Sequence, residues 1–186
     1  TAPTNVKDYS AYVNPFIGTG GHGHTFPGAV VPHGMIQPSP DTRIDGWDAC
    51  SGYYYADSTI NGFSHTHVSG TGCCDYGDVL LMPTVGKQQY RTTDPQSQRL
   101  AYASSFSHKN EIAEPGYYSV FLDTYQVKAE ISSTKRGAIH RYTFPENAES
   151  GVIIDLDYSL QRQTNSEMEI EVISGTEICR HKKTTY

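Results

Sequence analysis

The sequence has no apolar run long enough to cross a bilayer, few cysteines and no excess of basic residues. No stretch approaches the ~20 consecutive apolar residues that a transmembrane helix needs. The formal net charge of −6 at pH 7 disfavours a nucleic-acid partner, because phosphate backbones are bound by clustered lysine and arginine. The four cysteines, Cys50, Cys73, Cys74 and Cys179, have neither the spacing of a disulfide framework nor a C-x-x-C pair. We interpret them as free or partly buried thiols, and a distant disulfide stays open.

Motifs of several common enzyme classes are also missing. There is no G-x-S-x-G nucleophile elbow, no Walker loop, and no strand followed by G-x-G-x-x-G and a helix. The glycines Gly18, Gly20, Gly21 and Gly23 are therefore not interpreted as a nucleotide loop. The chain opens TAPTNVKDYS, which contains no apolar signal segment. That opening fits a cytoplasmic protein and equally a mature exported protein whose leader has been removed.

The second half of the chain alternates apolar and polar residues in the manner typical of β-strands. Val127, Ala129 and Ile131 alternate with polar residues, and the period of two recurs at 152–156 and 168–172. Turn-forming residues separate these segments, and no segment has helical periodicity. We predict an all-β fold, an antiparallel β-sandwich or barrel, that forms one domain over residues 1–186.

Shorter strands are expected elsewhere in the chain. Residues 12–17, 29–31 and 34–37 are apolar patches interrupted by glycine or proline, and we expect brief strands there. Residues 177–186 are also interpreted as a strand. A sheet that stops on a strand has an open edge, which proteins normally cover. We therefore expect the chain to be a fragment, incomplete at its C-terminal side, of a longer polypeptide.

The segment from Asn14 to Gly86 is the part of the chain that indicates function. It concentrates glycine, histidine, aspartate and aromatic residues, and long irregular segments in compact domains are usually functional. Trp47, the only tryptophan, has acidic residues on both sides. Because sugars stack their C–H faces on aromatic rings and bond polar groups through their hydroxyls, we interpret the segment as one wall of a sugar pocket. A plain packing role for Trp47 stays open.

Histidines and acidic residues in this segment have alternative interpretations. The pairs His22/His24 and His65/His67 would each place two imidazoles on one face of a strand, which favours a metal site. They would equally serve as hydrogen-bonding groups for loops or a polar ligand. The six aspartates fit a glycosidase pair or a calcium site, and they fit turns and caps more readily. The six are Asp41, Asp45, Asp48, Asp57, Asp75 and Asp78. A cysteine nucleophile at Cys73 or Cys74 has weak support.

The chain resembles the N-terminal region of glycoside hydrolase family 92. The motifs that carry the resemblance are YVNPFIGTGGHGHTFPGAVVPHGM, PDTR, SGYYY, INGFSHTHVSGTG and YGDVLLMP, in this order between residues 12 and 83. Members of that family are calcium-dependent, exo-acting, inverting α-mannosidases. The resemblance implies a galactose mutarotase-like supersandwich domain that precedes an (α/α)6-barrel absent from this chain. It further implies that the catalytic carboxylates and calcium ligands belong to the barrel, so that none is expected here.

The resemblance also implies which segments contact the substrate. The family's N-terminal domain contributes loops to the mannose pocket at the domain junction, so the chain is expected to bind terminal α-mannosides of N-glycans or mannan. It is expected to be exported and to expose an apolar face or unpaired edge where the barrel docks. Two other hypotheses are a stand-alone carbohydrate-binding module and a histidine-rich metal-dependent oxygenase. The predicted substrate-binding residues are Gly20, Gly21, His22, Gly23, His24, Asp45, Gly46, Trp47, His65 and His67.

Overall fold

The computed structural model describes residues 7–70, 72, 76–88, 90 and 97–185. Over those residues it contains β-strands and three short 3-10 turns, Ser10–Tyr12, Trp47–Ala49 and Leu160–Arg162, and no α-helix. The strands are β1 (Ser39–Asp41), β2 (Thr59–Ile60), β3 (Gly62–Ser64), β4 (Leu80–Val85), β5 (Ser104–Glu114), β6 (Tyr117–Leu122), β7 (Val127–Ser133), β8 (Ala138–Thr143), β9 (Ser150–Asp155), β10 (Thr164–Ser174) and β11 (Glu177–Thr185). The predicted all-β class is confirmed.

One large sheet has five antiparallel strands in the order β2-β5-β6-β7-β8. Its strands β6, β7 and β8 include the clearest alternation in the sequence, and tight turns join them into consecutive hairpins. Gly116 makes the turn from β5 to β6 with a φ of +76°, which glycine adopts without steric cost. In β7, Val127, Ala129 and Ile131 are buried and Lys128 is exposed, as expected for a strand with one face in the core.

The second large sheet has four antiparallel strands in the order β1-β3-β4-β9. Apolar side chains from both sheets meet in one cluster, to which β3 and β4 contribute Phe63 and Met82 and β6 and β7 contribute Tyr118, Val120 and Ile131. Burying one such side chain contributes about 1.5–3 kcal/mol to stability. The two large sheets are therefore the layers of a β-sandwich, and this cluster is its core.

Strands β10 and β11 form a separate antiparallel hairpin, which confirms the strands predicted at 168–172 and 177–186 over the described residues. The strand predicted at 12–17 is wrong: the chain makes a 3-10 turn and reverse turns there. The strands predicted at 29–31 and 34–37 are wrong too. Prolines interrupt both patches, and their amides form isolated bonds such as Met35 N to the Lys135 carbonyl oxygen at 2.8 Å.

The glycine-rich segment runs mainly as loops that are tied to the four-stranded sheet. Among the described residues, its regular structure consists of β1, β2, β3, β4 and the turn Trp47–Ala49. The Gln37 amide donates to the His65 carbonyl oxygen at 2.9 Å, and the Asn61 amide donates to the Asp41 carbonyl oxygen at 2.7 Å. Loops fixed in this way position polar side chains on a rigid scaffold, which is how binding sites are commonly built.

Candidate functional site

The structure brings three of the predicted site residues together around Asp48. The His22 Nδ1 atom lies 2.6 Å from Asp48 Oδ1, and the His24 Nε2 atom lies 3.9 Å from the same oxygen. The rings of His24 and Trp47 meet edge to face, with centroids 4.8 Å apart and an interplanar angle of 81°. We refer to His22, His24, Trp47 and Asp48 as the His–Trp–Asp cluster.

A tight glycine loop sets the direction of both histidines. The Gly23 amide donates to the Gly20 carbonyl oxygen at 3.3 Å, and the chain closes with a bond from the Thr25 amide to Gly18 O, also 3.3 Å long. A Cβ atom at position 23 would lie 2.1 Å from Gly18 O, so no other residue fits there. The predicted glycines Gly20, Gly21 and Gly23 therefore build the loop that carries His22 and His24.

Trp47 is presented at the surface by a 3-10 turn that begins after Gly46. The Asp45 carboxylate accepts a bond from the Gly46 amide at 2.7 Å, and the Asp45 amide donates to Gln98 Oε1 at 2.9 Å. Gly72 packs under the indole, because a Cβ atom there would lie 2.7 Å from Trp47 Cη2. The tryptophan is nevertheless 61% exposed. A large aromatic surface is thus held in a fixed orientation with one side open to a ligand.

Asp45 also lines a polar cavity of about 420 Å³. Its wall includes Asp57, which forms a bidentate ion pair with Arg43 at 2.9 and 3.0 Å. The Arg43 guanidinium lies 3.8 Å from the centroid of the Tyr54 ring. A separate cavity of about 600 Å³ lies against Asp155, Asp157 and other residues that were not predicted as site residues. These cavities are lined by residues outside the His–Trp–Asp cluster, in which His22 and Trp47 are exposed and His24 is buried.

His65 contacts a different partner from the cluster. Its Nδ1 atom lies 2.7 Å from the Val79 carbonyl oxygen, and its Nε2 atom lies 3.0 Å from Nε2 of His140 on β8. Burial lowers the pKa of His65, and burial reinforced by His65 lowers the pKa of His140 to about 3. Both rings are therefore neutral at pH 7, so one donates to the other.

His67 is buried inside the domain. Its Nε2 atom lies 2.7 Å from Asp41 Oδ1 and 3.1 Å from Ser64 Oγ, and its Nδ1 atom donates to the Gln37 carbonyl oxygen at 2.7 Å. The side chains of His67 and Asp41 are both 0% exposed. The expectation that His65 and His67 share one face fails, because β3 ends at Ser64 and both residues follow in irregular chain. His67 ties β1 to the loop after β3, and we leave it out of the surface proposed below.

Asp48 is the residue that joins the cluster, and its position in the sequence is only a weak signal of that role. It follows Trp47 directly and is one of six acidic residues in the segment. Its contact with His22 spans 26 positions of the chain, a separation at which spacing carries no information. The thiols considered at Cys73 and Cys74, together with Asp75, lie outside the described residues.

Comparison with known proteins identifies the family. The model of the glycosyl hydrolase family 92 N-terminal domain matches residues 12–185. This chain belongs to that family. The resemblance inferred from the motifs is thereby confirmed, and the family match extends well beyond residue 83 into the β-rich second half.

Solved family 92 structures share the fold. An α-mannosidase of Bacteroides thetaiotaomicron, solved in complex with mannoimidazole, is 40% identical with a TM-score of 0.87 over 96% of this chain and 23% of its own. An inverting mannosidase from Bacteroides thetaiotaomicron VPI-5482 is 33% identical, with a TM-score of 0.69 over 89% of this chain and 21% of its own. An uncharacterized secreted glycosidase of Arthroderma benhamiae is 30% identical over 88% of this chain and 22% of its length.

This family 92 chain spans less than a quarter of the length of these relatives. That proportion agrees with a match to the N-terminal domain of longer enzymes. Among the described residues, no helix is long and apolar enough to span a membrane.

Calcium does not fit the His–Trp–Asp cluster. Calcium takes six to eight oxygen ligands, whereas His22 and His24 offer nitrogen and Asp48 offers the carboxylate oxygen. Imidazole nitrogens instead suit zinc, copper, iron and nickel. The ligand atoms of the cluster therefore suit a transition metal and do not suit calcium.

Proposed function

We propose that this chain is the N-terminal domain of an exported, exo-acting, inverting α-mannosidase that removes terminal α-mannosyl residues from N-glycans or mannan. In this proposal the domain supplies loops to the substrate pocket and the rest of the polypeptide supplies the catalytic carboxylates and calcium. The observation that carries it is the family match over residues 12–185, which includes the loops that bring His22, His24, Trp47 and Asp48 together. The solved family structure with bound mannoimidazole supports the choice of sugar.

The cluster has the chemistry to hold one face of a mannosyl ring. The exposed face of Trp47 stacks on sugar C–H groups, and its orientation is fixed by Gly72 and by the edge of His24. His22 and Asp48 are paired at 2.6 Å and partly exposed, so they can exchange their mutual bond for bonds to sugar hydroxyls. Orienting the sugar is the role we assign to these residues. Proton transfer in an inverting enzyme needs two carboxyl groups on opposite sides of the scissile bond, separated to admit a water.

The first experiment compares the 186-residue chain with a polypeptide that extends to the length of its relatives. We expect the longer protein to hydrolyse an aryl α-mannoside, to release β-mannose first by NMR, and to lose activity with EDTA. We expect the 186-residue chain to be inactive. Turnover by the short chain, or α-mannose as the first product, contradicts the proposal.

The contribution of the cluster is tested in the longer protein. Trp47→Ala should lower kcat/KM by roughly 2- to 10-fold, because losing an aromatic contact costs about 0.5–1.5 kcal/mol and a factor of ten corresponds to about 1.4 kcal/mol. Ile139→Ala, at an exposed position on β8, is the matched control and should leave kcat/KM unchanged. Equal kcat/KM values for both variants would exclude Trp47 from the sugar pocket.

A stand-alone carbohydrate-binding module is the second candidate, and the exposure of Trp47 favours it. In that case the sugar site is complete without a second domain. Calorimetry with mannose distinguishes the two. Binding to the 186-residue chain with better than millimolar affinity supports the module, and its absence supports a pocket shared with the rest of the enzyme.

A further inference from the structure

The His24 ring nitrogen Nε2 is a buried polar atom without a hydrogen-bond partner among the described residues. The His24 side chain is only 7% exposed, and Nε2 points toward Asp48 Oδ1 from 3.9 Å, beyond hydrogen-bond distance. Buried polar atoms almost always have a partner, so an exception needs an explanation, and a bound ion that the neighbouring ligand atoms can hold is one. The left-handed backbone at His24, with φ of 53°, holds the ring in this position at a steric cost.

Two further ligand atoms lie beside this nitrogen. One atom each from His22, His24 and Asp48 fall within 4.8 Å of one another. In a tetrahedral site with metal–nitrogen distances of about 2.0–2.1 Å, neighbouring ligand atoms are roughly 3.3 Å apart. To reach this spacing, His22 Nδ1 and Asp48 Oδ1, which are 2.6 Å apart, must separate slightly. His24 Nε2, which is 3.9 Å from the same oxygen, must move closer. His22 has the freedom to make this adjustment, since its side chain is 78% exposed.

We propose that His22, His24 and Asp48 bind a divalent transition-metal ion of the zinc class. Two neutral imidazoles and one carboxylate form a three-ligand set that leaves a fourth position open to solvent beside Trp47. Binding would give His24 Nε2 its partner and would replace the His22–Asp48 hydrogen bond with two metal bonds. Calcium and magnesium are disfavoured because they require cages of oxygen ligands.

The metal site goes beyond the proposed function and does not depend on it. An ion held by His22 and Asp48 would withdraw both groups from direct bonds to sugar hydroxyls. Zinc-class ions and sugar would therefore compete for this surface if the cluster also lines the sugar pocket. Metal binding itself requires neither sugar nor a second domain, so failure of the mannosidase proposal leaves it intact.

The only tryptophan of the chain reports on this site directly. Trp47 contacts His24, so Ni²⁺ at the cluster should quench its fluorescence, and calorimetry with Zn²⁺ should give one site per 186-residue chain. His22→Ala and Asp48→Asn should each lower the metal affinity measured by both methods at least about 10-fold. Even the loss of an outer-shell partner lowers metal affinity about 10–100-fold. His33→Asn changes an exposed histidine at a left-handed position, which asparagine tolerates, and should leave both unchanged.

Circular dichroism establishes that each variant is folded before titration. A wild-type Zn²⁺ affinity weaker than millimolar overturns the proposal. So does equal binding by wild type, His22→Ala and Asp48→Asn, which would place the ion on other histidines or on thiols. Displacement of Ni²⁺ by equimolar Ca²⁺ would also overturn it, because an oxygen-seeking ion should not compete at this ligand set.

Discussion

His67 shows how a histidine suggestive of a binding site can instead hold the fold together. Its ring joins Asp41 on β1, Ser64 on β3 and the Gln37 carbonyl, and the side chains of His67 and Asp41 have no access to solvent. Removing the His67 ring would leave the buried Asp41 carboxylate without this hydrogen-bond partner. The pair thus ties together the irregular region that carries the candidate site.

We predict that His67→Ala lowers the free energy of unfolding by about 3–5 kcal/mol, the range measured when one member of a buried pair is removed. Urea denaturation of the 186-residue chain measures this difference. His33→Asn is the control, because His33 is exposed and its replacement should change stability by less than about 0.5 kcal/mol. A loss below about 1 kcal/mol for His67→Ala would mean that Asp41 finds another partner.

Single residues also show what spacing can and cannot predict. The two imidazoles of the His-x-His pattern at 22–24 do lie close to each other. A tight glycine loop and the contact with Asp48 bring them together, whereas the His-x-His spacing predicts that a strand does so. The same pattern at 65–67 diverges, because those residues lie beyond the end of β3. The sequence could identify the residue types of the candidate site, whereas convergence depended on a contact 26 positions away.

At the scale of the strands, β6, β7 and β8 are joined by a charged network on one face. Glu130 on β7 pairs directly with Arg141 on β8, whose guanidinium donates two bonds at 2.8 and 2.7 Å. Tyr117 on β6 donates a third at 2.9 Å. The Arg141 hydrogen bonds, followed by that of Tyr117, lower the pKa of Glu130 to about 2. Cross-strand pairs of this kind specify register.

This network gives the sheet a defined acid dependence. A carboxyl whose pKa is lower in the folded state contributes stability above its unfolded pKa, and that contribution disappears as the pH falls through the folded pKa. We predict that Arg141→Gln is less stable than wild type above about pH 4.5 and that the difference shrinks as the pH approaches 2. Urea titrations at pH 7, 4 and 2.5 measure it, with Arg136→Gln in the β7–β8 turn as the control. A difference that does not change with pH would show that Arg141 acts through packing.

The strands that were predicted correctly are those whose alternation of apolar and polar residues matches the faces they present in the sheet. The segments of β6 to β8 are joined by short hairpins, so their alternation, turns and pairing all come from neighbouring residues. Strands β1, β2 and β3 are two or three residues long and pair with distant segments, as Ser39 does with Ser64. No period can be read from so few residues, and only tertiary contacts determine that they are strands.

At the scale of the whole molecule, the β10–β11 hairpin forms a sheet of its own, and nearly all of its described residues are exposed. Its pairing places Val172 opposite Ile178, and Ile170 shares their face, all three partly or largely exposed. Lys182 anchors the hairpin through Asp78 at 2.9 Å. Because the chain spans about a quarter or less of its relatives, we propose that the remaining polypeptide covers this apolar face.

We predict that amide hydrogens of β10 and β11 exchange faster than those of β6 and β7 in the 186-residue chain and become protected in the longer polypeptide. Hydrogen exchange read by mass spectrometry measures both.

Val172→Asp should change the stability of the short chain by less than about 0.5 kcal/mol, as expected for an exposed position. In the longer polypeptide the same change would bury an unpaired charge, so it should lower the melting temperature and remove the protection. Ile139→Asp, at an exposed position on β8, is the matched control and should leave the hairpin's protection intact. Equal exchange of the hairpin in both polypeptides would show that the rest of the enzyme docks on another face of the sandwich.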